Sequence, residues 1–208
     1  MLNFKYYKTS GLILTIIILS ILFDSIFKFL MPILKDYGIE YLRAPGNISL
    51  IIIVLTIYNK YLWKFPVFKL LVKVPNMAGR YKGKVKYNFQ GKDDEKDCII
   101  EVNQTASRIK IYSYFNNKLN EKTDSKSLVE DISLEENGFF DIFLYYLNNG
   151  NKINSVLDCH EGANKLRYIP KTKTTKAKLT GHYFTNRQIP TKGEIYAEFE
   201  SNKLKGEY

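Results

Sequence analysis

The stretch GRYKGKVKYNF, residues 79–89, alternates: Tyr81, Val85, Tyr87 and Phe89 take odd positions, and Lys82, Lys84, Lys86 and Asn88 take even ones. Side chains along a strand point to opposite faces in turn, so this segment reads as a strand with one apolar and one solvated face. The same period returns in residues 108–115, where Ile109, Ile111, Ser113 and Phe115 share a face. It returns again in Ala177, Leu179, Gly181 and Tyr183, and in Ile195, Ala197 and Phe199 set against Glu194, Tyr196, Glu198 and Glu200. Cys98 to Gln104, Leu128 to Leu134, Phe139 to Leu147 and Ile153 to His160 complete the expected strands, with turn signals at Gly91 to Asp93, Asn137-Gly138 and Asn148 to Asn151. About eight short strands in a row predict an antiparallel β-barrel, because closure removes unpaired edges and the apolar face fills the interior. A sandwich is the competing architecture.

Upstream the pattern changes. Leu12 to Leu34 and Ala44 to Leu62 are two mainly apolar stretches, and about 20 such residues cross a hydrocarbon core. Two transmembrane helices are therefore expected at 12–34 and 44–62. An interfacial connector follows at 63–76, bracketed by Pro66 and Pro75, and the barrel occupies 77–208. Tyr61, Trp63 and Phe65 interleave with Lys60 and Lys64, the aromatic and basic mixture of a headgroup layer. A cleaved signal peptide competes for the first stretch. That stretch outruns a signal core, no small-x-small site closes it, and a second apolar run follows directly.

Charge sets the expected orientation. The 208 residues hold 31 Lys plus Arg against 21 Asp plus Glu. Residues 1–73 carry nine basic and three acidic side chains, which leaves 22 against 18 in the remainder. Lys5 and Lys8 precede the first span and Lys60, Lys64, Lys69 and Lys73 follow the second, while the loop balances Lys35 and Arg43 with Asp36 and Glu40. The positive-inside rule then places both termini and the barrel in the cytoplasm of a multi-pass protein. Cys98 and Cys159 are expected as unpaired thiols there. The barrel lacks the concentrated Lys/Arg face of a nucleic-acid duplex binder.

Catalytic and metal signatures are missing. His160 and His182 fall on separate segments without ligand spacing, and no phosphate loop or GxSxG turn occurs. Cys159 and His160 are neighbours on an expected strand and point to opposite faces. A non-enzymatic domain with no cofactor is expected. By parity Tyr183, Thr185 and Arg187 share the inward face of Leu179, and a guanidinium inside a barrel is costly unless an anion meets it. Arginine matches phosphate with two prongs. In the alternative the strand stops at Thr185 and Arg187 is a solvated turn residue. Tyr81, Gln104 and Ser113 also face inward and predict a polar mouth. Asp24 and Lys28, four apart in the first span, read either as an intrahelical pair or as a polar seam between copies.

Two N-terminal spans, the Gly-x-Tyr-x-Gly opening at Gly79 to Gly83, and the Gly-x-Tyr-Phe-Thr-x-Arg stretch at Gly181 to Arg187 followed by Thr191-x-Gly193 resemble a known family. It is the CD-NTase-associated protein 15 family, membrane effectors of cyclic-oligonucleotide-based antiphage signalling (CBASS). The resemblance covers nearly the whole chain. It implies a β-barrel receptor for a cyclic dinucleotide made by a partner nucleotidyltransferase. Binding would assemble a homo-oligomer in the bacterial inner membrane and breach it, killing or arresting the infected cell. With the parity argument, the expected ligand-binding set is Tyr81, Gln104, Ser113, Tyr183, Thr185, Arg187 and Thr191. Two other readings stand beside it: a membrane-tethered carrier of a lipid or hydrophobic ligand, with an apolar interior, and a structural adaptor with a filled barrel.

Overall fold

The computed structural model describes residues 4–37, 46–116, 122–150, 158–187 and 189–208. The chain divides into two compact units, Met1–Pro75 with Thr105–Arg108, and Asn76–Gln104 with Ile109–Tyr208. The expected loop between the two apolar stretches, residues 38–45, lies outside the described residues, as do the first two residues of the second expected span.

In the first unit, helix α1 (Thr9–Asp36) has 28 residues, and at about 1.5 Å per residue such a helix is about 42 Å long. Leu12 is its one buried side chain, while Ile13, Leu14, Ile17, Ile18, Ile21 and Leu22 lie exposed. So much outward apolar surface is stable in an apolar solvent rather than in water, and α1 is long and apolar enough to cross a bilayer. Asp24 and Lys28 form an ion pair within the helix at 2.7 Å. Helix α2 (Gly46–Lys60) has 15 residues and stops short of the expected boundary at Leu62, giving way to 3-10 turns at Leu62–Lys64 and Pro66–Leu71.

Short β-type pairing then joins the two ends of this unit. Tyr7 bridges Val72, the Lys8 N–H donates to the Leu71 carbonyl at 2.9 Å, and the Lys73 N–H donates to the Tyr6 carbonyl at 2.8 Å. Tyr7, Tyr58 and Trp63 are buried beside this seam, and the Tyr58 hydroxyl donates to the Phe68 carbonyl at 2.7 Å. The segment entering α1 and the segment leaving α2 therefore lie side by side, as a helical hairpin requires.

The second unit is a closed antiparallel barrel of eight strands joined in sequence order. The strands are β1 (Gly79–Phe89), β2 (Lys92–Gln104), β3 (Ile109–Asn116), β4 (Lys122–Leu134), β5 (Phe140–Asn148), β6 (His160–Ile169), β7 (Lys178–Asn186) and β8 (Lys192–Ser201). Direct pairing of β8 with β1, as in Val85 with Ile195, closes the ring and removes the sandwich alternative.

One end of the barrel is sealed. Met77 is fully buried; its N–H donates to Gln104 Oε1 at 2.8 Å and its carbonyl accepts from the Tyr81 hydroxyl at 2.8 Å. The Tyr168 hydroxyl donates to the Asn76 carbonyl at 3.3 Å. Ile142, Leu166, Leu179 and Val102 fill the interior above this floor, all fully buried. On the outside of β1 and β2, Arg80 and Glu101 form a buried ion pair at 2.6 Å, and Glu101 also accepts the Lys205 and Gly206 amides. That arrangement binds the C-terminal segment to the wall and supplies partners for two charges that would otherwise be costly to bury.

Two expectations need correction. The sixth strand runs from His160 to Ile169 rather than ending at His160; of the expected Ile153 to His160, residues 153–157 lie outside the described residues, and Asp158 and Cys159 precede the strand. Its inward residues begin His160, Gly162, Asn164, so no apolar alternation marks its first half. In β4, a register shift between Ser127 and Val129 reverses the faces. Ser125 and Ser127 point inward before it and Glu130 faces Leu144 after it, which leaves Val129 exposed. A bulge of this kind breaks a period-two reading.

Because Met77 packs without exposure at the floor, Met77→Ala should lower barrel stability by about 2 to 5 kcal/mol. Chemical denaturation of the full chain in detergent, followed by tyrosine fluorescence, measures this.

Candidate functional site

The strands' inward residues change character away from the floor. A cavity of about 70 Å³ opens inside the far half of the barrel, lined on one side by Ser113, Ser125 and Ser127 and on the other by Tyr146, Asn164 and Tyr183. Tyr87, Lys96, Asn148 and His160 also border it. Strands β1, β3, β5 and β7 end, and β2, β4, β6 and β8 begin, at this end, opposite Met77.

Two glycines make room for the aromatic walls. A Cβ on Gly162 would stand 2.4 Å from the Tyr146 hydroxyl and 2.3 Å from the Phe184 carbonyl oxygen. A Cβ on Gly193 would stand 2.8 Å from the Tyr183 ring and 2.9 Å from Tyr87 Cβ. The tyrosines thus lie where a side chain on the neighbouring strand would otherwise be, and present ring surface to the cavity. Burial pushes the Tyr146 and Tyr183 phenols well above the ordinary range, and the positive charge of Arg187 opposes it at both. Arg187 also acts on Tyr87 and His160, so its charge lies within electrostatic reach of the whole mouth. Its Nε is buried and has no hydrogen-bond partner among the described residues.

The β7–β8 connection that carries Arg187 is clasped at its base. Thr185 and Thr191 hydroxyls lie 2.9 Å apart, the Thr191 N–H donates to Thr185 Oγ1 at 2.9 Å, and the Thr185 N–H donates to the Thr191 carbonyl at 2.9 Å. These two threonines border the cavity and hold each other, and Thr191 also hydrogen-bonds Tyr183. Asn148 donates to Ser125 Oγ at 2.8 Å, whereas Asn164 Oδ1 is buried with no partner among the described residues. His160 Nδ1 sits 3.0 Å from the Asp158 carbonyl, which makes Nδ1 the protonated nitrogen and leaves Nε2 as an acceptor in the neutral ring. Burial lowers the His160 pKa, with Arg187 and Lys96 pushing the same way against the Asp158 contact.

Of the seven expected site residues, Ser113, Tyr183, Thr185 and Thr191 line the cavity. Arg187 lies just past the end of β7 and is not among the residues that line the cavity. Tyr81 and Gln104 face inward as parity requires, but at the closed end, where Met77 occupies their polar atoms. Sequence reasoning missed Tyr146, His160 and Asn164. The parity of Phe139 to Leu147 could have found Tyr146; the other two sit on the strand whose apolar pattern is hidden.

Residues 72–198 match the family model described as Cap15, cyclic dinucleotide receptor domain. The chain belongs to the Cap15 family. The Cap15 match begins in the segment that supplies the floor and runs through all but the last turn-ward residues of β8, so it takes in both the sealed end and the mouth. No curated protein matches the chain. The matching model is a receptor domain for cyclic dinucleotides, which supports cyclic dinucleotide binding by this chain.

His160 gives a pH signature. Its folded pKa lies below the ordinary 6.5, so the unfolded chain binds more protons as pH falls through that value, and stability contributed by the neutral ring is lost. Thermal unfolding of the full chain should show a falling midpoint between pH 7.5 and 5.5, and His160→Gln should flatten that dependence.

Proposed function

We propose that this Cap15 protein is an antiphage membrane effector whose barrel mouth takes a cyclic dinucleotide made by a partner nucleotidyltransferase. The observation that carries the reading is a buried Arg187 Nε with no hydrogen-bond partner among the described residues, just past β7 at the end of the barrel whose cavity is lined by Tyr87, Tyr146 and Tyr183. A phosphodiester would supply the missing counter-charge, and bases stack on aromatic faces. Drug-sized ligands occupy pockets of about 300 to 1,000 Å³, so the cavity of about 70 Å³ admits part of such a ligand. In this pose one base enters between Tyr146 and Tyr183, within reach of Asn164. The phosphates remain at the rim beside Arg187 and His160. The lining mixes serines and asparagines with Val85, Ile111, Phe115, Leu144 and Ile195, so a planar nucleobase would meet both hydrogen-bond partners and apolar contact there.

The membrane part of the reading rests on α1 and on the seam between Tyr7 and Val72. With α1 crossing the inner membrane and α2 returning, both termini and the barrel lie on the cytoplasmic side that the flanking lysines favour. Ligand left partly outside the barrel offers a surface to a second copy, and binding one assembly state better than another is what drives assembly. Asp24 and Lys28 would then serve as a polar seam between clustered spans.

Titration calorimetry of the full chain in detergent with a panel of cyclic dinucleotides should give saturable binding to at least one member. Arg187→Ala should weaken it by about 10-fold or more, the effect of losing a charge-assisted hydrogen bond. Absence of binding across the panel refutes the receptor role of this mouth. In vesicles loaded with a potential-sensitive dye, the full chain should dissipate the potential only when that ligand is added. Deleting residues 1–62 should abolish the response and keep the binding.

A further inference from the structure

The connection between β6 and β7, residues 170–177, reads Pro-Lys-Thr-Lys-Thr-Thr-Lys-Ala and holds three lysines without an acidic residue. It leaves β6 at Ile169 and joins β7 at Lys178, which places it at the Met77 end of the barrel, away from the mouth. The turn is built rather than ragged. Thr172 Oγ1 accepts the Thr174 and Thr175 amides at 3.2 and 3.1 Å, and the Thr172 N–H donates to the Thr175 carbonyl at 3.0 Å. This holds Lys171, Lys173 and Lys176 exposed in solvent. The cations next to them are already engaged: Lys178 pairs with Glu198 at 3.0 Å, and Lys165 and Arg167 pair with buried Asp141 at 2.9 and 2.8 Å.

The same end of the barrel receives the chain from the helical unit. The Lys73 N–H is bonded to Tyr6, and β1 begins at Gly79. Six extended steps cover at most about 22 Å, so a barrel on this leash brings its floor end within reach of whatever surface α1 enters. Anionic lipid surfaces attract juxtamembrane basic clusters over a Debye length of about 8 to 10 Å.

We propose that Lys171, Lys173 and Lys176 form a docking surface for anionic lipid headgroups, which turns the barrel floor toward the bilayer and the mouth away from it. The proposal rests on reading α1 as a membrane span. Its consequence is that the mouth faces the compartment from which a soluble ligand arrives, so lipid does not cover the site.

The test uses the full chain in vesicles carrying a quencher on the lipid headgroup, made of neutral phosphatidylcholine alone or with 30% phosphatidylglycerol, where about this anionic fraction gives a clear surface potential. Native Cys159 is exposed beside the mouth and Cys98 is buried, so a thiol dye on the unaltered chain reports the far end. Thr174→Cys with Cys159→Ser moves the dye to the lysine turn. The expected result is strong quenching of the turn label in the anionic vesicles and weak quenching at Cys159. High salt and the triple variant Lys171→Gln, Lys173→Gln, Lys176→Gln should each cut the turn quenching at least several-fold. Equal quenching at the two labels, or a turn signal indifferent to anionic lipid and to the triple variant, overturns the docking surface while the chain still floats with the vesicles. A chain that fails to float with them overturns the spanning reading as well.

Discussion

A ring of eight tilted strands encloses a space only just wide enough for side chains to fill. Every other feature of the barrel follows from how that space is divided. Large apolar residues and Met77 occupy it at one end and leave no room. Serines, asparagines and tyrosines set against wall glycines occupy it at the other, and a small cavity remains. The site is a stretch of the same interior in which packing has been relaxed and hydrogen-bonding capacity left over.

That division carries a cost and explains where the structure departs from local rules. Buried polar groups normally find partners, and most near the mouth do, as in the Thr185–Thr191 clasp and the Asn148–Ser125 contact. Asn164 Oδ1 and Arg187 Nε do not among the described residues. Unsatisfied groups of this kind are tolerated where a ligand completes them. The floor differs: Gln104, Tyr81 and Tyr168 each engage the backbone of Asn76 or Met77, so the incoming chain itself caps this end.

The helical unit obeys a separate constraint. The apolar flank of α1 has too little protein against it to be stable in water, and the Tyr7–Val72 seam holds the start of α1 and the exit from α2 together. Antiparallel helices follow from that seam by connectivity. Under the proposed reading, in which both helices cross, the barrel stays on one side of the bilayer whichever way the hairpin is inserted, and the flanking lysines distinguish the two orientations.

Much of this was legible from residue order. Alternation in 79–89, 109–115, 177–183 and 194–200 marks strands because burial of one face imposes a period of two, and the apolar run of α1 marks a span by length alone. The inward parity of Tyr81, Gln104, Ser113 and Tyr183 followed from the same rule. Parity says which face a side chain takes and nothing about its height along the barrel, so only the closed ring could separate Tyr81 and Gln104 at the floor from Ser113 and Tyr183 at the mouth. The half of the barrel that holds the cavity was also the less visible on two strands: His160, Gly162 and Asn164 erase the apolar signal of β6, and the shift after Ser127 reverses that of β4. Sequence by itself determined strand character, the long apolar helix and inward face, since each depends on local solvent partition. Tertiary structure alone decided which end is sealed, because that depends on where Met77 comes to rest.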